Sequence, residues 1–271
     1  PEAVRYISGD RHNEQAYIRV MRELKPDIAF ELTCFDAQDA QVSIEAFRDV
    51  KHFITASTVC TYGKHFNHFP IREEDWFQPC IQYGINKHAA DLMYLDAFRR
   101  EGFPVTIMKP CTSYSEMSGM LRNLTTEHTW IDRVKKGKPI LICGDGDILH
   151  QYMHTEATAR GFVGVMGRQH CIGQVYNVTQ TGCTTWAEYH RTAMQILGQE
   201  VELVGLPLSQ LMEIDPERFA LCNEIFGQHT YAANDKLRRD VPEWQPQIGL
   251  AEGMCRVFHA MEEQGTIPDS R

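Results

Sequence analysis

Tyr83 and Lys87 stand four residues apart in the run Tyr83-Gly84-Ile85-Asn86-Lys87. On a helix this spacing places a phenol and an ammonium on one face, about 5–6 Å apart at Cβ. A free tyrosine titrates near about 10 and is a poor base at neutral pH. A cation fixed beside it favours the phenolate and lowers that value. Such a pair can take the proton of a substrate hydroxyl while a hydride leaves the same carbon. The spacing alone is a weak signal, so the elements around it have to decide.

Those elements alternate. Residues 3–8 read as a short strand ending at Gly9-Asp10, and residues 13–24 as a helix on the spacing of Ala16, Ile18, Val20, Met21 and Leu24. Pro26-Asp27 closes that helix, and residues 28–32 read as a buried strand. A helix over 40–47, a strand over 52–56, a long helix over 83–100 and a strand over 105–108 follow, with Gly102 and Pro104 ending the long helix. Strands separated by crossovers long enough to hold a helix predict a parallel α/β sheet. Further on, residues 139–142 precede the tight turn Gly144-Asp145-Gly146, and residues 174–178 form another strand. Thr185 with Glu188 predicts a capping box opening a helix that runs to Leu197 and stops at Gly198. A closing helix over 250–263 completes the pattern. The predicted architecture is a Rossmann-like, doubly wound parallel sheet over residues 1–115, incomplete at its N-terminal side. Residues 116–271 are expected to be mainly a smaller α/β substrate lobe, with segments that return to the sheet.

Bulk properties narrow the classes. At 271 residues, 43% apolar and 23% charged, the chain can bury a full core and has no apolar run of membrane-span length. The net charge of −9 argues against broad electrostatic attraction to nucleic acid. Nine cysteines, with no CxxC pair, predict reduced thiols and a cytoplasmic location. His150 and His154 share a four-residue spacing but lack an acidic third ligand nearby, so no metal site is expected.

The segment Thr55-Ala56-Ser57-Thr58-Val59-Cys60-Thr61-Tyr62-Gly63 follows a predicted strand, and open α/β sheets bind ligands at that end of their strands. Together with Tyr83 and Lys87 it resembles the Ser-Ser/Thr-x-x-x-Tyr-Gly stretch of extended short-chain dehydrogenases, the NAD-dependent epimerase/dehydratase group. Lys109-Pro110-Cys111-Thr112-Ser113-Tyr114 resembles that family's Arg-Pro-x-x-x-Tyr strand end, and Gly144 through Ala159 its GDG to H-x-D-D-x-A segment. The compact stretch from Leu32 to Phe47 is similar to the subgroup that includes the chloroplast stem-loop-binding proteins. The resemblance implies Tyr83 as acid/base, Thr58 as partner of the reacting hydroxyl, and Lys87 as the cation that lowers the tyrosine and holds the nicotinamide ribose. It implies NAD or NADP as cofactor, touched by Asp10, Leu32, Thr33, Cys34, Ala56, Tyr83, Lys87, Pro110 and Cys111. It implies a sugar or nucleotide-sugar substrate touched by Thr58, Thr112, Tyr114 and His150, and a homodimer formed through the long helix. Tyr62 and Cys111 are expected to pack rather than react.

Two departures refine the expectation. No G-x-x-G-x-x-G turn occurs in the chain, so the cradle for a pyrophosphate is missing and Asp10 falls where the family's third strand would end. An upstream segment is therefore expected to complete the sheet; a shortened protein that has lost cofactor binding is the alternative. Val59 and Cys60 follow Thr58 where the family's dehydratases carry Asp-Glu and its decarboxylases a Glu. The resemblance then leaves epimerisation or simple carbonyl/alcohol redox. The competing class is a non-catalytic protein that uses this fold to hold RNA or another partner.

Overall fold

A computed structural model describes residues 4–120 and 124–271. Four strands form the main sheet: β1 (Ile28–Glu31), β2 (His52–Ala56), β3 (Val105–Pro110) and a late strand, Val175–Val178, which is β8 in chain order. They lie side by side in that order and every pairing is parallel. Parallel neighbours need crossovers on the sheet faces, and helices supply them. Helices α1 (Glu14–Leu24), α2 (Ala37–Ala46) and α3 (Gln82–Glu101) cover one face, where Ile18, Ala40, Ala90 and Tyr94 pack on Phe53, Val105 and Ile107. On the other face Ile54, Met108 and Tyr176 meet α5 (Thr155–Val165) and α8 (Asp235–Asp240). Alternation along β2 and β3 thus sends Phe53 and Ile107 to one layer, Ile54 and Met108 to the other. The doubly wound sheet is as expected, and β8 is a segment from the second half that returns to it.

The remaining strands are short. β4 (Thr112–Tyr114) pairs in parallel with β7 (Tyr152–His154), and β5 (Ile140–Cys143) with β10 (Leu203–Leu206). β6 (Leu149–His150) runs antiparallel to β9 (Thr184–Thr185). Helices α4 (Thr129–Lys135), α6 (Trp186–Leu197), α7 (Leu208–Ile214) and α9 (Leu250–Glu263) complete the set. Trp130, Trp186, Tyr189, Met254 and Phe258 form a core between α4, α6 and α9. The Thr185–Glu188 capping box opens α6 and Gly198, in left-handed conformation, ends it.

One expected strand is absent. Residues 4–8 carry no regular structure, and Val4, Tyr6 and Ile7 are exposed by 52%, 92% and 45%. Among the described residues β1 has a partner on one side only. A strand at 3–8 would have no neighbour to take up its amide and carbonyl groups, so water holds them instead.

Candidate active site at the carboxyl edge of the sheet

β2 ends at Ala56, and the chain then turns through Ser57 and Thr58 into one turn of tight helix, Val59–Tyr62. Thr58 caps that turn; its hydroxyl accepts a hydrogen bond from the Cys60 amide at 3.2 Å. The first turn of α3 approaches it closely. A Cβ placed on Gly84 would lie 2.5 Å from the Cys60 carbonyl oxygen, so glycine lets the helix start sit on the turn. That approach brings the Tyr83 phenol beside the Thr58 side chain.

Burial raises the Tyr83 phenol above its ordinary value; the nearby Cys60 thiol and Asp91 act in the same direction, and the Thr58 side chain pulls against them. The expected depression by Lys87 is therefore not what the phenol experiences here. The reason is geometric. Lys87 is 4% exposed, and its ammonium donates to the main-chain carbonyls of Cys34, at 2.7 Å, and Ala56. Its charge is thus spent across the ends of β1 and β2, and burial lowers its own pKa.

One helical turn further, Asp91 pairs with Lys109 of β3 in a fully enclosed network. The Lys109 ammonium also donates to Thr61 Oγ1 at 2.8 Å and Ser57 Oγ at 3.3 Å, and Ser57 donates to Asp91 at 2.7 Å. Lys109 therefore fixes α3 and the Thr58 turn to the sheet rather than facing a ligand. Tyr62 is a packing residue as expected: it is buried, stacks on Phe77 and donates to Asn177 Oδ1 at 2.7 Å.

Beside the Thr58 turn lies a cavity of about 300 Å³, at the lower end of the range of about 300–1,000 Å³ for ligand pockets. Hydroxyls dominate its polar wall: Thr58, Thr112, Ser113, Thr126 and Thr230, joined by Gln151 and Gln228. Val59, Ile81, Leu221, Ile225 and Phe226 give the apolar part. His150 also lines it; Nε2 lies 2.8 Å from Thr112 Oγ1, and Nδ1 has no hydrogen-bond partner. Packed by Trp186, Tyr152 and Phe226, the imidazole is held neutral, its pKa pushed down to about 3 by burial. Cys111 lies in the wall as a buried thiol raised to about 12 by burial, which suits packing.

Thr58, Thr112, His150 and Cys111 thus meet at one cavity, with Tyr83 reaching it through Thr58. Tyr114 does not line it. That ring is 2% exposed and packs against Gly253 of α9 and edge-on to His154, so the expected substrate contact is corrected to a core contact. His154 faces away from His150: Nδ1 accepts from the Glu156 amide, which leaves Nε2 to donate to Glu116 at 3.0 Å. On the cofactor side, Leu32 and Thr33 follow β1, with Leu32 61% exposed. Asp10 is exposed and accepts from the His12 amide. Glu31, missed in the sequence, organises this loop from a buried position: it accepts from the Thr33 amide and hydroxyl, Arg11 and Ser43.

A parallel, doubly wound sheet with a threonine, a tyrosine and a buried lysine at its carboxyl edge is the architecture of a nucleotide-binding fold. Residues 2–179 match the model of the NAD dependent epimerase/dehydratase family, and the chain belongs to it. Among curated proteins it is 23% identical over 207 residues to the 2'-dehydrokanamycin reductase of Streptomyces kanamyceticus, covering 76% of this chain and 58% of that protein. It is 21% identical over 266 residues to the chloroplast stem-loop binding protein of 41 kDa b of Arabidopsis thaliana, covering 97% and 66%. A UDP-glucose 4-epimerase from Thermotoga maritima, solved with UDP-glucose, shares the fold at a TM-score of 0.76 and 18% identity, covering 97% of this chain and 86% of that one. The chain thus spans 58% and 66% of the length of these two curated relatives.

NAD is the family's cofactor. The residues present fit its nicotinamide-ribose end: an ammonium has three donors, and the buried Lys87 gives two of them to strand-end carbonyls, which leaves one for a ribose hydroxyl. They do not fit the pyrophosphate, for which this chain holds no glycine-rich turn. Gln151 and the segment 221–230 were not singled out from sequence. Gln151 is buried and braces the cavity floor through the Gln180, Gly182 and Ala232 carbonyls. No helix among the described residues is long and apolar enough to cross a membrane.

Proposed function

We propose that this chain carries the acid–base and sugar-binding part of an NAD(P)-dependent oxidoreductase or epimerase acting on a sugar, free or nucleotide-linked. The observation that carries the reading is Thr58 in the wall of a hydroxyl-lined cavity with the Tyr83 phenol close beside it. The nicotinamide, when bound, supplies the hydride acceptor or donor. Thr58 orients the reacting oxygen, and Tyr83 moves a proton to or from it. A phenol raised by burial is protonated at neutral pH, which suits proton donation to a carbonyl, so reduction is the favoured direction. Lys87 holds the ribose and, through the Cys34 and Ala56 carbonyls, the edge on which it sits. The half-exposed Ile85 and Leu92 of α3 offer an apolar stripe for a second copy, which supports the homodimer.

Tyr83→Phe removes the proton and keeps the ring. Turnover of a keto-sugar with reduced nicotinamide should fall about 10²–10⁴-fold, with the melting temperature unchanged. Undiminished turnover in that variant would refute the reading. A curated relative that covers 97% of this chain is named for stem-loop binding, which supports a second reading as an RNA-binding protein. Salt-sensitive RNA binding that survives Tyr83→Phe, together with no nicotinamide-dependent turnover in the parent, would favour it.

A further inference from the structure

Three thiols, Cys60, Cys80 and Cys111, stand in the wall of the cavity. Cys111 is buried and its thiol stays protonated in a packing role. The other two differ in access: Cys80 is exposed, and Cys60 is partly buried. They lie on two segments whose backbones touch at both ends. At one end Gly63 bridges to Gln78, the Gln78 amide donates to the Tyr62 carbonyl at 3.2 Å, and a Cβ on Gly63 would collide with the Gln78 carbonyl oxygen. At the other end Gly84 sits on the Cys60 carbonyl. Cys80 falls between Gln78 and Gly84, so the chain carries it past the turn that holds Cys60, and the Cys60 thiol feels the charge of Cys80. A disulfide spans Cα atoms about 4.4–6.8 Å apart, a separation that segments in backbone contact offer. An accessible thiol with a second cysteine poised beside it is the arrangement of an oxidation-responsive pair.

We infer that Cys80 and Cys60 form a reversible disulfide in the presence of peroxide, stapling the Thr58 turn to the entry of α3. Cys80, as thiolate, attacks one oxygen of hydrogen peroxide. The O–O bond breaks, hydroxide leaves and takes up a proton as water, and Cys80 becomes a sulfenic acid. The Cys60 sulfur then attacks the Cys80 sulfur, the S–O bond breaks, and the Cys60 proton leaves with the hydroxide as a second water. The two thiols have lost two electrons to the peroxide, and two molecules of glutathione return them. Burial raises the Cys60 thiol, which makes it the slower nucleophile and so the resolving partner. The bond crosses the wall between the turn that Thr58 caps and the helix that carries Tyr83, so oxidation fixes that turn and narrows the cavity.

Peptide mapping of the full chain tests it. The reduced protein is treated with hydrogen peroxide, its remaining thiols are blocked with N-ethylmaleimide, and the digest is analysed without reductant. The dominant product should be a linked peptide pair joining Cys60 to Cys80 within one chain, and glutathione should return both thiols. Amide hydrogen exchange over residues 59–63 should slow in the oxidised chain and recover on reduction. In Cys60→Ser the sulfenic acid on Cys80 should persist and be trapped by dimedone. In Cys80→Ser, whose exposed position leaves the melting temperature unchanged, Cys60 should stay reduced. Cys80 remaining a thiol, or joined to the exposed Cys183 or Cys255 instead, would overturn the inference. So would a sulfenic acid that persists in the parent, a bond that glutathione does not reopen, or unchanged exchange over the turn. None of these readouts needs turnover, so they stand apart from the Tyr83→Phe test.

Discussion

Replacing His150 with glutamine should flatten the acid limb of the protein's stability curve. The imidazole is 2% exposed, faces three aromatic rings, and has its pKa lowered from 6.5 to about 3 by burial. Because the folded value is the lower one, the unfolded chain takes up the proton first. Stability tied to His150 is therefore full above pH 6.5, falls as the pH drops below it, and stops changing near pH 3. Each pH unit in that window is worth about 1.36 kcal/mol, so at pH 5 the wild-type residue costs about 2 kcal/mol. For a chain of this size that corresponds to about 4–8 °C in melting temperature. Glutamine cannot titrate, and its amide can still reach Thr112. Urea unfolding of both proteins from pH 7.5 to 4.5 isolates the effect, because the other buried histidines, His52, His154 and His190, are common to both. The gap between the two curves should close or invert by about 2 kcal/mol between pH 7.5 and 5. Parallel curves over that range would show that the ring is not held neutral by its surroundings.

Lys109→Met should cost about 3–5 kcal/mol in urea unfolding, because it strands the buried Asp91 carboxylate with Ser57 as its remaining side-chain donor. The double variant Lys109→Met/Asp91→Leu should recover most of the loss, and a single-variant cost below about 1 kcal/mol would contradict the network. Gly84→Ala should lower kcat by about ten- to a hundredfold, since its Cβ would press on the Cys60 carbonyl and lift Tyr83 from Thr58. An unchanged kcat in steady-state kinetics would show that this approach does not set the phenol.

Much of this fold was legible because its signals are local. Asn13 caps α1, Thr185 and Glu188 build the box that opens α6, and the closing helix spans the residues its apolar spacing marks. Tyr83 and Lys87 share a helix, so their common face followed from spacing alone. Lys109 shows where such reasoning stops. Val105 to Lys109 are all buried, so the strand has no alternating pattern to say which way its lysine points. The partner, Asp91, is fixed only when α3 docks. Gln151 was hidden for the same reason, since nothing periodic ties it to Thr58. The strand expected at residues 3–8 failed differently: its residue types suit a strand, but a strand needs a neighbour and no described segment provides one.

The one-sided β1 carries a practical consequence for handling the protein. Among the described residues its outer edge pairs with no other strand, and Phe30 within it and Leu32 and Phe35 just after it are exposed by 41%, 61% and 55%. The strand contains no lysine, no proline and no bulge of the kind that blunts such margins. A second polypeptide in extended form could add to it as a further strand. Solutions of this chain should therefore grow in light scattering with concentration, and a strand-shaped peptide that caps the margin should hold them clear.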